Sequence, residues 1–144
     1  MAGGNGQGNR PNQLNRPANV FVDEDHSVYV SDWNNHRVMK WIEDAKEGIV
    51  VAGDQDQGNS LTQLSHPQGV IIDHLGTVYV VDRDNHRIMR WFKGATQGSI
   101  IVGGNEQGQQ SNQFNYPTDL SFDRQNNLYV VDRENNRIEK FDIN

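Results

Sequence analysis

The residue types best suited to acid–base or electrostatic chemistry fall in this chain at a fixed interval. Asp32, Asn35 and Arg37 return as Asp82, Asn85 and Arg87, and again as Asp132, Asn135 and Arg137, each set 50 residues after the last. A carboxylate, a carboxamide and a guanidinium so close together could clamp an anion or polarise a carbonyl. They can equally hold a tight turn, with Asp and Asn satisfying backbone N–H groups and Arg closing a pair with a carboxylate. Repetition in every unit is what scaffolding predicts, so these nine are read as structural.

Between them lie positions that vary from unit to unit: Trp33, Arg83 and Arg133; Asn34, Asp84 and Glu134; His36, His86 and Asn136; and, upstream, Arg16, His66 and Tyr116. Variation on a fixed frame is where one ligand could be told from another. These twelve residues form the candidate ligand-binding face.

Other chemistry finds little support. His36, His66 and His86 could share a face, but no His/Asp spacing matches a zinc motif. Asp54-Gln55-Asp56-Gln57-Gly58 begins like a calcium loop and lacks its later glutamate. Ser31, Ser60, Ser65 and Ser111 sit in no Gly-x-Ser-x-Gly elbow, and the chain has no cysteine to act as a thiolate. No catalytic residue, metal or cofactor is therefore expected. Nor is nucleic acid an expected partner. Arg16, Arg37, Arg83, Arg87, Arg133 and Arg137 are interleaved with Asp32, Asp54, Asp56, Asp82, Asp84, Glu106 and Glu134, and the formal net charge is −6. No run approaches the roughly 18 apolar residues of a membrane helix. Met1-Ala2-Gly3-Gly4-Asn5-Gly6 carries neither the basic nor the apolar region of a signal peptide, and the compartment stays open.

The elements that position these residues follow from the same interval. Pro17, Pro67 and Pro117, Asp23, Asp73 and Asp123, and Tyr29, Tyr79 and Tyr129 repeat at 50 without insertion or deletion, as do Gly8, Gly58 and Gly108. Each unit reads as four short strands. The first follows the proline (Val20-Phe21-Val22-Asp23, Val70-Ile71-Ile72-Asp73, Leu120-Ser121-Phe122-Asp123) and, nearly all apolar in the first two units, is expected to be buried on both faces. A polar turn leads to a second strand such as Val28-Tyr29-Val30-Ser31. A tight polar loop over 32–36 precedes a third, Arg37-Val38-Met39-Lys40-Trp41, alternating at period two. Glycine-bracketed fourth strands cover 48–53 and 98–103, and long Gly/Asn/Gln-rich loops return to the next proline. Trp41, Trp91 and Phe141 on the third strands are expected to fill the core between sheets.

Four antiparallel strands per unit, repeated, predict an all-β propeller whose blades bury their faces against one another. Residues 1–16 are a partial outer strand and loop, 17–66 the first blade, 67–116 the second, and 117–144 a third lacking its fourth strand. By strand parity, the loops before strand one and between strands two and three share one end of each blade. That end carries the candidate face.

The pattern resembles the NHL-repeat family of propellers. The residues that carry the likeness are Pro67-Gln68-Gly69-Val70, then Val78-Tyr79-Val80-Val81-Asp82-Arg83-Asp84-Asn85-His86-Arg87-Ile88, with parallel copies at 28–38 and 128–138 and the pair Gly103-Gly104. The unit is longer than is typical for the family, and Asn19 and Asp119 stand where Gly69 matches the usual glycine. The resemblance implies a non-enzymatic module for protein or peptide binding or for self-assembly, with metal-dependent lyases, lactonase-like hydrolases and RNA-binding propellers as alternatives within the same likeness. It also implies rings of about six blades. Three blades make half of such a ring, so the expected partner is a second copy of the chain, the alternative being a fragment whose other blades are missing or lie in another chain. Two chains of three blades would close it about a two-fold axis, the N-terminus of one lying beside the third-blade edge of the other.

Overall fold

A computed structural model describes residues 1–143, and among them eleven strands form three antiparallel sheets. Blade 1 contains β1 (Pro17–Val22), β2 (Val28–Asp32), β3 (Arg37–Trp41) and β4 (Ile49–Ala52), hydrogen-bonded in that order. Blade 2 repeats this with β5 (Pro67–Ile72), β6 (Val78–Asp82), β7 (Arg87–Trp91) and β8 (Ser99–Gly103). Blade 3 has β9 (Pro117–Phe122), β10 (Asn127–Asp132) and β11 (Arg137–Asp142), with β10 central. The all-β class and the blade-like sheets agree with the sequence pattern.

Three local features differ from the expectation. The first strand of each blade begins at the proline: Pro17 pairs with Asp32, and a bulge follows before Asn19 meets Ser31. Proline is tolerated there because the first residue of a strand needs no N–H in the ladder. Asp23 leaves the strand instead, and its Oδ1 accepts from the N–H groups of Asp25 and Ser27 at 3.0 and 2.9 Å, closing the hairpin. The polar loop after each second strand is a 3-10 turn, Trp33–Asn35, Arg83–Asn85 or Arg133–Asn135, closed by a left-handed residue: His36, His86 or Asn136. Finally, burial of the first strand on both faces holds only where a blade follows and precedes it. Val70 is 3% exposed, whereas its counterpart Val20 is 58% exposed, because no described element packs on the outer side of β1.

The core lies between sheets. Tyr29, Val38 and Ala52 of blade 1 meet Val70, Val80, Met89 and Trp91 of blade 2 around Leu64. Tyr79, Val81 and Ile88 of blade 2 meet Leu120, Leu128 and Val130 of blade 3 around Phe114, with Phe141 packed against them. Leu64 and Phe114 come from the long loops, so each loop is a plug in the seam between two blades. The turn that delivers each plug is close to backbone: Gly53 has φ +82, and a Cβ there would stand 2.5 Å from the His36 carbonyl oxygen. A third cluster, Val30, Met39 and Trp41, lies on the outer side of blade 1 under Ala2 and Leu14. Trp41 thus faces away from blade 2 and packs beneath the N-terminal segment.

The polar frame is as regular as the apolar one. Arg37 donates from Nε to Asp32 Oδ2 at 2.8 Å, and Arg87 to Asp82 Oδ2 at 2.6 Å. The Nη groups of Arg87 reach the carbonyls of Asn59, Ser60 and Gln63 at 3.0–3.1 Å. Burial pushes the Asp82 carboxyl above its ordinary value, opposed by the Ser65 N–H, Asn85 and Arg87. Solvent reaches the third copy: the Arg137 side chain is 27% exposed against 1% for Arg37. Replacing Arg87 with Met leaves a buried carboxylate unpaired and should cost about 3–5 kcal/mol of unfolding free energy. The Arg137→Met loss should be clearly smaller, and urea unfolding midpoints of the two variants would compare them.

Candidate ligand-binding face

One side chain gathers the loop face of each blade. Asp32 Oδ1 accepts the Asn15 N–H at 2.7 Å, and Oδ2 accepts from Asn35 Nδ2 at 2.8 Å. Asn35 also donates to the Gly8 carbonyl at 2.8 Å. The same bonds recur from Asp82 to Ser65 and Asn85, and from Asp132 to Asn115 and Asn135. The Asn34, Asp84 and Glu134 N–H groups add bonds to the carbonyls of Asn15, Ser65 and Asn115. The 3-10 turn and the end of the long loop are thereby held side by side at one end of the blade. The nine repeated residues spend their polar atoms on this frame.

The twelve varied residues lie at the same end, and half of them are engaged across the seams between blades. Arg16, His66 and Tyr116 take left-handed backbone conformations with φ of 54, 52 and 50°. His36 Nδ1 accepts the His66 N–H at 3.1 Å, and His86 Nδ1 accepts the Tyr116 N–H at 3.0 Å. Each histidine is thus a latch from one blade to the residue just before the first strand of the next, and its ring packs edge-on against that residue's ring at 4.5 and 4.6 Å. Trp33 stacks on His66 at 4.1 Å, and the Arg83 guanidinium lies over Tyr116 at 4.8 Å. His66 Nδ1–H donates to Asp84 Oδ2 at 2.7 Å, and Arg83 Nη1 donates to the other oxygen at 2.6 Å. A continuous band of rings and guanidiniums therefore runs across the two seams, from Arg16 on Trp33 to Tyr116. Arg133, Glu134 and Asn136 stand at its far end. Glu134 Oε1 is 3.6 Å from Arg133 Nε.

These contacts were not readable as such. The types Arg and Tyr at positions 16 and 116 do not signal a left-handed backbone, and only His66 is of a type enriched there. A groove of about 800 Å³ also escaped notice. It opens at the opposite end of blades 1 and 2, over Phe21, Tyr29, Lys40, Ile72, Trp91 and Phe92. Between blades 2 and 3, Phe122 stands where Ile72 does and packs edge-on to Tyr79 at 4.9 Å. Among the described residues no group of three or more His, Asp or Glu could hold a metal, and no helix is long and apolar enough to cross a membrane.

Blades seamed by loop plugs and histidine latches define a β-propeller fold. Structural likeness agrees. An auxiliary nutrient binding protein from Bacteroides thetaiotaomicron superposes with a TM-score of 0.68 at 19% identity, over 84% of this chain and 36% of that one. A protein of unknown function from the same organism gives 0.67 at 23% identity, over 81% and 32%. A catalytically inactive virginiamycin B lyase from Staphylococcus aureus with quinupristin gives 0.61 at 14%, over 91% and 39%. At such identities the likeness concerns fold alone, and the chain spans about a third of the length of these proteins. No curated protein matches the chain by sequence. The NHL repeat model matches residues 64–90 and 114–141, so the second and third repeats of the chain are NHL repeats.

The latches carry a pH dependence. Burial pulls both the His36 and His86 imidazoles below the ordinary value of 6.5. His36 also feels His66, Asp84 and Asp32; His86 feels Asp84, Arg83 and Asp132. The unfolded chain therefore binds more protons than the folded one just below pH 6.5. Stability is full above that value and is lost as pH falls through the folded values. Protonation at Nδ1 sets a donor against the incoming N–H. Denaturant titrations between pH 7.5 and 5 should show this fall, and the pair His36→Asn, His86→Asn, which keeps an acceptor without titrating, should remove most of it. An unchanged slope in the double variant would count against the latches.

Proposed function

We propose that this chain is a non-enzymatic propeller module that binds a protein or peptide through its loop face and closes its ring with a second copy of itself. The observation that carries the reading is the match between its two outer flanks. Val38 and Ile88 are fully buried against the following blade, and their counterpart Ile138 is 61% exposed. Asn136 occupies the latch position, where its Oδ1 sits as many bonds from the backbone as the Nδ1 of His36 or His86. The opposite flank presents the receiving parts: Val20 and Val22 exposed, Leu14 at the position of the plugs Leu64 and Phe114, and Arg16 already at the φ of His66 and Tyr116. Each flank has what the other needs to reproduce the seams inside the chain. Apolar flanks of this kind, left uncovered, are a liability to association.

The five carboxylates of the three 3-10 turns and the strand ends before them support binding over catalysis. Asp32, Asp82 and Asp132 are committed to guanidiniums, Asp84 to Arg83 and His66, and Glu134 to Arg133. None is left poised to take a proton from a substrate. Light scattering on purified chain should give a molar mass near twice 16.4 kDa, and Ile138→Asp should return it to the monomer. A wild-type monomer at tens of micromolar would sink self-closure.

A further inference from the structure

At each seam the residue that opens one 3-10 turn meets the left-handed residue just before the first strand of the next blade. Trp33 meets His66, and Arg83 meets Tyr116, with 4.1 and 4.8 Å between the groups. These contacts set a ring against a ring or a cation against a ring. The seam made by self-closure is different, because there Arg133 meets Arg16 of the partner subunit. Two guanidiniums are brought to the place where one seam holds a pair of rings and the other a guanidinium on a ring.

Nor does blade 1 supply a counter-charge. In blade 2, His66 is paired with Asp84 at 2.7 Å. The residue corresponding to Asp84 in blade 1 is Asn34, which is neutral. Arg16 rests on the Trp33 ring at 5.4 Å and, among the described residues, forms no ion pair. On the other side, Glu134 offsets Arg133 across 3.6 Å, with both side chains at least half exposed. Two guanidiniums and one carboxylate leave a net positive seam beside an indole face, at the end of the ring that carries the candidate ligand residues.

We propose that each self-closing seam is an anion-binding site that takes a carboxylate or phosphate group between Arg133 and Arg16 of the partner subunit, with the ring of the partner's Trp33 as its wall. This rests on the self-closure reading. Two such sites lie across the ring's mouth from each other, related by the two-fold axis. The guanidinium fork suits both anions, because either presents paired oxygens to parallel N–H donors. An anion held there links ligand binding to assembly, since the monomer offers only half of the site.

The test measures the dimer dissociation constant by sedimentation equilibrium at pH 7.5, in sodium chloride, inorganic phosphate and succinate at matched ionic strength. Phosphate, succinate or both should lower the constant about tenfold relative to chloride; phosphate alone or succinate alone would identify the group preferred. Arg16→His, which gives blade 1 the residue of blade 2, should still dimerise in chloride and should lose the response. A wild-type dimer with the same constant in all three salts overturns the anion site and leaves self-closure standing, as does an Arg16→His variant with an undiminished response. A monomer in every buffer overturns both.

Discussion

Everything on the loop face depends on a carboxylate buried at the end of each blade's second strand. Asp82 has no exposed surface, and its two oxygens accept from the Ser65 N–H, Asn85 and Arg87. Removing such a charge from water is costly, and a single pairing seldom recovers the cost. Here the guanidinium that pairs with it is itself saturated by loop carbonyls. The pair therefore acts as a rivet through three chain segments: second strand, third strand and long loop. A loop with few backbone bonds of its own, such as Gly58 N–H to the Leu64 carbonyl at 3.2 Å, acquires one conformation this way, and with it a fixed position for the plug residue.

That rivet explains why packing and recognition share residues in this molecule. A four-stranded blade cannot bury either face alone, so the chain must solve the seam at every step. The solution has an apolar half, Leu64 or Phe114 between sheets, and a polar half, a histidine of one blade bound to the backbone N–H just before the first strand of the next. The polar half lies on the loop face. The varied residues are thus seam residues first, and a ligand would meet them already held in place by ring contacts and by the Asp84 pairings. Such pre-ordering reduces the entropy lost on binding.

The interval of 50 made the blade pattern legible, because a repeated unit constrains its strands many times over. β3 and β7 coincide with the runs of period-two alternation, Arg37 to Trp41 and Arg87 to Trp91. Trp91 and Phe141 fill seams as their spacing implies, while Trp41 does so only against the N-terminal segment. What stayed hidden depends on neighbours rather than on local sequence. Val20 and Val70 have equivalent places in nearly equivalent strands, and only a blade beyond β1 could bury the former. The left-handed residues Arg16, His66 and Tyr116 share one φ whether or not a latch reaches them, because the residue before each is anchored to the buried Asp32, Asp82 or Asp132. The groove over Tyr29 and Trp91 has Ile72 in its lining where the next seam has Phe122 against Tyr79, a difference too small to read before the seams are known.

The three latch residues differ in one physical respect. His36 and His86 are acceptors only while neutral, and burial favours that state. Asn136 is an acceptor at any pH. Within the chain the seams therefore respond to acid, whereas a seam built on Asn136 does not. In the proposed ring, acidification weakens the blades' hold on one another inside each copy before it touches the hold between copies. The order matters for function, because a ring that loosens internally while remaining closed keeps both copies together and returns to the same loop face when the pH recovers. A histidine at position 136 would reverse that order and make assembly itself the acid-sensitive step.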